Sequence, residues 1–183
     1  MRVNAQFRGW SAAFVAGALC VVCSAASEPE DELTAATVLS FLRYSEWAPM
    51  GAADSYLSVG VLGRPALLFT FRRLLEDKSV GGRPIRVVEL PPEPTSTCCQ
   101  VVYLEIEKST ELKPALARFG RPLKIGVADE FIELGGDVHL LIVDGHMSFE
   151  VNRDSLERSG ITISSKLLRF GQVRNMRARG PAL

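Results

Sequence analysis

Apolar and polar positions alternate or recur at helical spacing along the chain after residue 30 and divide it into short elements. The clearest is a hairpin. The runs Asp137–Val143 and His146–Asn152 flank Asp144-Gly145, a dipeptide suited to the two positive φ angles of a two-residue type I′ turn. So tight a turn fixes the register: Val143 faces His146, Leu141 faces Ser148 and His139 faces Glu150. One face then carries Val138, Leu140, Ile142, Met147, Phe149 and Val151, all apolar, and the other is mixed. Beyond the hairpin, Asn152 is placed to cap a short helix, Leu156 to anchor it and Gly160 to end it in the left-handed conformation. Ile161–Phe170 reads as a short extended piece that enters a final amphipathic helix through Ser164 or Ser165 as cap.

Upstream, a helix is predicted over Glu32–Trp47, with Leu33, Ala36, Val38, Leu39, Phe41, Leu42, Tyr44 and Trp47 around most of its circumference. Such a helix is covered on more than one side. The cover is either the domain's own core or another subunit or partner, and in the second case Phe41, Tyr44 and Trp47 are the contact candidates. Leu57–Leu62 reads as a strand, followed by a helix that starts at Pro65 and carries Leu67, Leu68, Phe71, Leu74 and Leu75 on its apolar side. Gly81-Gly82 breaks the chain, Ile85–Leu90 is a second strand, and Pro91-Pro92-Glu93-Pro94 is a stiff connector. Gln100–Ile106 and Leu123–Ala128 are further strands; between them Ser109 is placed to cap a helix bearing Leu112, Leu116 and Phe119, with Pro114 early enough to be tolerated. The alternation predicts an α/β fold: a single layered domain, mostly parallel sheet with a C-terminal antiparallel hairpin and flanking helices.

Composition adds the compartment. Arg2 and Arg8 precede an apolar run from Ser11 to Cys23, and Ser24-Ala25-Ala26 offers small residues for cleavage, so residues 1–26 read as a signal peptide. The run is shorter than the roughly 20 apolar residues that span a bilayer, so no membrane insertion is expected after cleavage. The remainder suits one domain, residues 27–171, followed by a basic, flexible tail over 172–183. The full chain holds 21 basic and 21 acidic residues, and losing Arg2 and Arg8 tips the mature form slightly acidic, which gives no reason to expect nucleic acid. Glu28, Glu30, Asp31 and Glu32 complement the dipole of the first helix.

Candidate chemistry is sparse. After cleavage the cysteines are the neighbours Cys98 and Cys99. They are redox or disulfide candidates with three outcomes: a strained vicinal bridge, pairing across a dimer, or reduced thiols with Cys99 buried as a small hydrophobe, the last being favoured. His139, His146 and Glu150 share a hairpin face, but four residues along a strand separate α-carbons by about 13 Å, too far for one metal, and His139 pairs better with Glu150 across the strands. The glycines form no dinucleotide or phosphate loop and no serine sits in a nucleophile elbow. No cofactor, metal or enzyme activity is expected.

Gly135-Gly136, Phe149-Glu150-Val151-Asn152 and Gly160-Ile161-Thr162-Ile163-Ser164-Ser165-Lys166-Leu167-Leu168, at this spacing, resemble the C-terminal signature of the YfiR family. Ala35-Ala36 through Phe41-Leu42-Arg43-Tyr44-Ser45-Glu46-Trp47-Ala48-Pro49 is similar to that family's opening helix. Gly81-Gly82-Arg83-Pro84-Ile85 and Cys99-Gln100-Val101-Val102-Tyr103 fall where the family has a strand start and a cysteine-led strand, whose partner cysteine has no counterpart here. The resemblance implies a periplasmic repressor that binds the periplasmic region of an inner-membrane diguanylate cyclase; a homodimer is a separate expectation, from the apolar circumference of the first helix. Glu150, Lys166, Arg169 and Phe170 are the partner-contact candidates, Glu150 because it belongs to the signature yet points away from the apolar face. The alternative is a periplasmic small-molecule-binding sensor module acting on another partner, with its cleft at the strand ends.

Overall fold

The computed structural model describes residues 29–47, 55–92 and 99–175. The expected signal peptide, Cys98 and residues 176–183 lie outside the described residues. In chain order the elements are α1 (Pro29–Tyr44), β1 (Ser45–Trp47), β2 (Leu57–Leu62), α2 (Pro65–Leu75), β3 (Ser79–Val80), β4 (Arg83–Glu89) and β5 (Val101–Leu104). Then come α3 (Ser109–Arg118), β6 (Leu123–Gly126), β7 (Val138–Val143), β8 (His146–Asn152), α4 (Arg153–Ser159), β9 (Ile161–Ile163), α5 (Ser165–Leu168) and β10 (Gln172–Arg174).

Eight strands form the main sheet in the order β10-β8-β7-β6-β5-β2-β4-β3. Pairing is parallel from β4 through β2, β5 and β6 to β7, antiparallel within the β7–β8 hairpin and at β3–β4, and parallel again at β8–β10. The expected mixed α/β architecture with a mostly parallel sheet is thus present. The inner strands are buried along their length, as strands covered on both faces must be. Alternation splits their side chains: Val101, Tyr103, Leu123 and Ile125 join the core under α1 and α2, whereas Val102 and Leu104 join the core under α3.

The hairpin has the expected register, with Val143 opposite His146, Leu141 opposite Ser148 and His139 opposite Glu150. Asp144 and Gly145 hold φ of 50° and 75°, the pair of positive angles a type I′ turn requires. Asn152 caps α4 by accepting the Ser155 N–H at 3.1 Å, and Gly160 ends it with φ 68°. Gly126 and Gly136 both press on the ring of Phe131: a Cβ on either would lie 2.1 Å from it.

Three local expectations change. The first helix stops at Tyr44 rather than Trp47, because Ser45–Trp47 pairs antiparallel with β9, Ser45 opposite Ile163 and Trp47 opposite Ile161. The Ser164 N–H donates to the Tyr44 carbonyl at 2.8 Å, so a distant strand satisfies the helix end. Ser109 is not a cap: Lys108 holds that position without a side-chain bond, and the Ser109 hydroxyl donates to the Glu130 carboxylate. Gln172–Arg174, placed by sequence in the tail, is a strand on the sheet edge.

Candidate functional site: a cationic aromatic groove beside the hairpin

The buried stripe of α1 is Asp31, Thr34, Ala35, Val38, Phe41 and Leu42, at helical spacing. Phe41 is fully buried and meets Phe149 edge to face, so it is a core residue and not a contact residue. Tyr44, at the exposed end of the same helix, is 44% accessible. Trp47 is half-buried on β1, packed against the core under α1, and its Nε1 has no partner.

Across from Tyr44, Ser164 caps α5 by accepting the Lys166 N–H at 3.3 Å. This cap sets the direction of α5 and brings Lys166, Arg169 and Phe170 to the surface beside α1. Thr37, Ser40 and Tyr44 of α1, Met147 and Phe149 of β8, and Lys166, Arg169 and Phe170 line one groove of about 370 Å³. The fold therefore unites two sets of candidates that lie far apart in sequence. Phe170 is 62% exposed, and the Arg169 guanidinium lies over its ring at 4.7 Å from the centroid. The hairpin's apolar face outruns its cover: Val138, Leu140, Phe149 and Val151 are buried, whereas Ile142 is exposed opposite a half-buried Met147. The result is an exposed apolar strip with Lys166 and Arg169 at its border.

Glu150 is not in this groove. On β8 it alternates with Phe149 and Val151, so its side chain leaves by the other face of the sheet. There it is 13% exposed, 3.1 Å from Arg174 Nη2 and 3.8 Å from His139 Nδ1, and Arg174 also binds Glu133 at 2.7 Å. These ties hold β10 to the sheet edge. Cys99 is buried in the core under α3, with Leu90, Val102 and Phe119.

Two charged clusters escaped the sequence reading. Asp31, 2% exposed, accepts both terminal nitrogens of Arg64 at 2.6 and 2.8 Å, and Arg64 also binds Glu105 through its backbone N–H at 2.7 Å and its Nε at 3.1 Å. Tyr103 lies in the same region; burial, then the charges of Glu105 and Asp31, push its hydroxyl ionisation well above the ordinary value. On the opposite face of the sheet, Asp137 is fully buried and takes the Lys124 N–H at 2.8 Å and the Lys124 ammonium at 3.1 Å on one oxygen. Their sequence signal was a lone charge in an apolar strand, Lys124, and an acid next to Gly136, Asp137.

Residues 31–172 match the family described as YfiR/HmsC-like. The chain belongs to that family. The matched span begins inside α1 and ends on the first residue of β10, so it takes in every other strand of the sheet and both walls of the groove. Membership in the YfiR/HmsC-like family supports, in general terms, a periplasmic regulator of diguanylate cyclase signalling; its members are regulators and not known enzymes. No curated protein matches the chain. Among the described residues, no helix is long and apolar enough to cross a membrane.

Proposed function

We propose that the exported chain binds the periplasmic sensing region of an inner-membrane diguanylate cyclase and holds that enzyme inactive. The observation that carries this reading is the groove, in which exposed Tyr44 and Phe170 flank Arg169 on a surface built from the family-like segments. Exposed aromatic and arginine side chains beside an apolar strip are residue types enriched among those that dominate contact energetics. The mechanism is a population shift: a protein that binds the inactive cyclase better than the active one lowers cyclic-di-GMP output without touching the substrate. Lys166, Arg169, Phe170 and Tyr44 make the contact, while Glu150 supports it by fixing β10 against β8.

The test is a pull-down of the tagged mature protein from membranes of its own host, with bound proteins identified by mass spectrometry. Recovery of a membrane protein carrying a cytoplasmic cyclase domain, and its loss with Phe170→Ala, is the expected result. Recovery that Phe170→Ala and Tyr44→Ala both leave intact would move the contact elsewhere, and failure to recover any cyclase would remove the reading.

A further inference from the structure

In open α/β sheets, ligands gather at the carboxyl ends of the strands, where the strand order reverses. That point lies between β2 and β5, whose following helices α2 and α3 pack on opposite faces, and a crevice of about 510 Å³ opens there. Its charges are already satisfied within the fold. Arg64 holds Glu105, Lys108 lies 3.3 Å from Glu111, and Arg118 donates to the Pro92 carbonyl at 3.3 Å.

A second cavity, of about 350 Å³, has the opposite character. Lys113 of α3, Lys124 of β6 and Arg158 of α4 line it, and no acidic residue does. Neither Lys113 nor Arg158 takes part in an ion pair among the described residues. Lys124 is 5% exposed, and its ammonium has three donors, of which one reaches Asp137. Because fully buried Asp137 offsets Lys124, the two outer cations set the sign of the cavity. Buried Ser155 and half-buried Ser159 also line it, and Leu116, Phe119 and Leu134 form an apolar wall. Lys113 and Arg158, brought to one cavity from two elements by tertiary packing, leave a positive charge there that an anion would offset.

We infer that this cavity is a binding site for a small organic anion, with a phosphate or carboxylate head on Lys113, Lys124 and Arg158 and an apolar body against Phe119 and Leu134. The site is independent of the cyclase-binding reading, since it shares no residue with the groove.

The experiment is calorimetric titration of the mature protein with phenyl phosphate, benzoate, inorganic phosphate and benzylamine, with amide NMR shifts to locate the site. The expected result is one site per chain for phenyl phosphate, with Kd below about 1 mM and tighter than inorganic phosphate. Shifts should centre on Gly120, Gly135 and Ser155, and affinity should fall as salt rises. Phenyl phosphate against benzoate decides between a phosphate and a carboxylate head. In the double variant Lys113→Ala with Arg158→Ala, affinity should drop roughly tenfold or more at an unchanged melting temperature, because both side chains are exposed. Equal affinity in the double variant, equal binding of benzylamine, or binding of none of the anions at about 10 mM would overturn the assignment.

Discussion

Phe41 meets Phe149 edge to face, ring centroids 5.0 Å apart and planes at 73°, and this contact joins α1 to the C-terminal hairpin. Phe149 also lines the groove, so the pair ties the floor of the contact surface to the core. Phe41→Ala removes a fully buried ring and should destabilise the fold by about 3–5 kcal/mol. Urea denaturation followed by tryptophan fluorescence checks this. A loss under about 1 kcal/mol would mean that α1 is not seated on the hairpin as described.

Exposed groove residues should behave in the opposite way. Phe170→Ala and Tyr44→Ala remove side chains that are 62% and 44% accessible, so each should change stability by no more than about 0.5 kcal/mol. Each should weaken capture of the cyclase roughly tenfold if the groove is the contact, the loss expected of an aromatic anchor. Melting curves and titrated pull-downs on the same preparations separate the two effects.

Glu150→Gln tests the supporting role assigned to the far face of β8. It keeps the shape of the side chain but removes the charge that holds Arg174 at 3.1 Å. Hydrogen exchange should rise at β10 while the β7–β8 ladder stays protected, because Arg174 links β10 to Glu150 and to Glu133. Unchanged exchange at Gln172–Arg174 would remove the role.

Alkaline stability should report Tyr103. Its folded-state ionisation is raised above the ordinary value of 10.0, so the unfolded chain releases this proton first as pH rises. Stability is therefore fully present below pH 10 and falls above it, by about 1.4 kcal/mol per pH unit for this one group. Tyr103→Phe should flatten that part of the curve, measured as urea midpoint between pH 9 and 11.

What the sequence made legible was local. Asp144-Gly145 and the alternation on either side of it were enough to set the β7–β8 register, and Asn152 and Gly160 marked both ends of α4, because turns and caps depend on neighbours in the chain. What it hid was long-range. Nothing near Ser45–Trp47 announces a partner at Ile161–Ile163, so helical periodicity carried the first helix three residues too far. Phe41, Tyr44 and Trp47 looked alike on a helical wheel, yet packing buries the first, exposes the second and moves the third onto a strand. The groove arises only when α5 is brought to α1, and the Asp31–Arg64 pair only when α1 lies on α2, so neither has a signature in sequence spacing.

The buried Lys124–Asp137 pair gives the sharpest test of the α3 side of the sheet. Both side chains are almost wholly enclosed, and the pair shares one Asp137 oxygen with the Lys124 N–H while the other oxygen has no partner. Desolvation of two charges offsets most of their attraction, so the intact pair adds little net stability. Removing one member is different, because it leaves the other charge buried without compensation. Lys124→Met should therefore cost about 3–5 kcal/mol, whereas Lys124→Met combined with Asp137→Asn should recover a large part of that loss. A double variant as unstable as the single one would show that the Asp137 carboxylate is held by the backbone N–H of residue 124 alone, with the ammonium contributing packing and not charge.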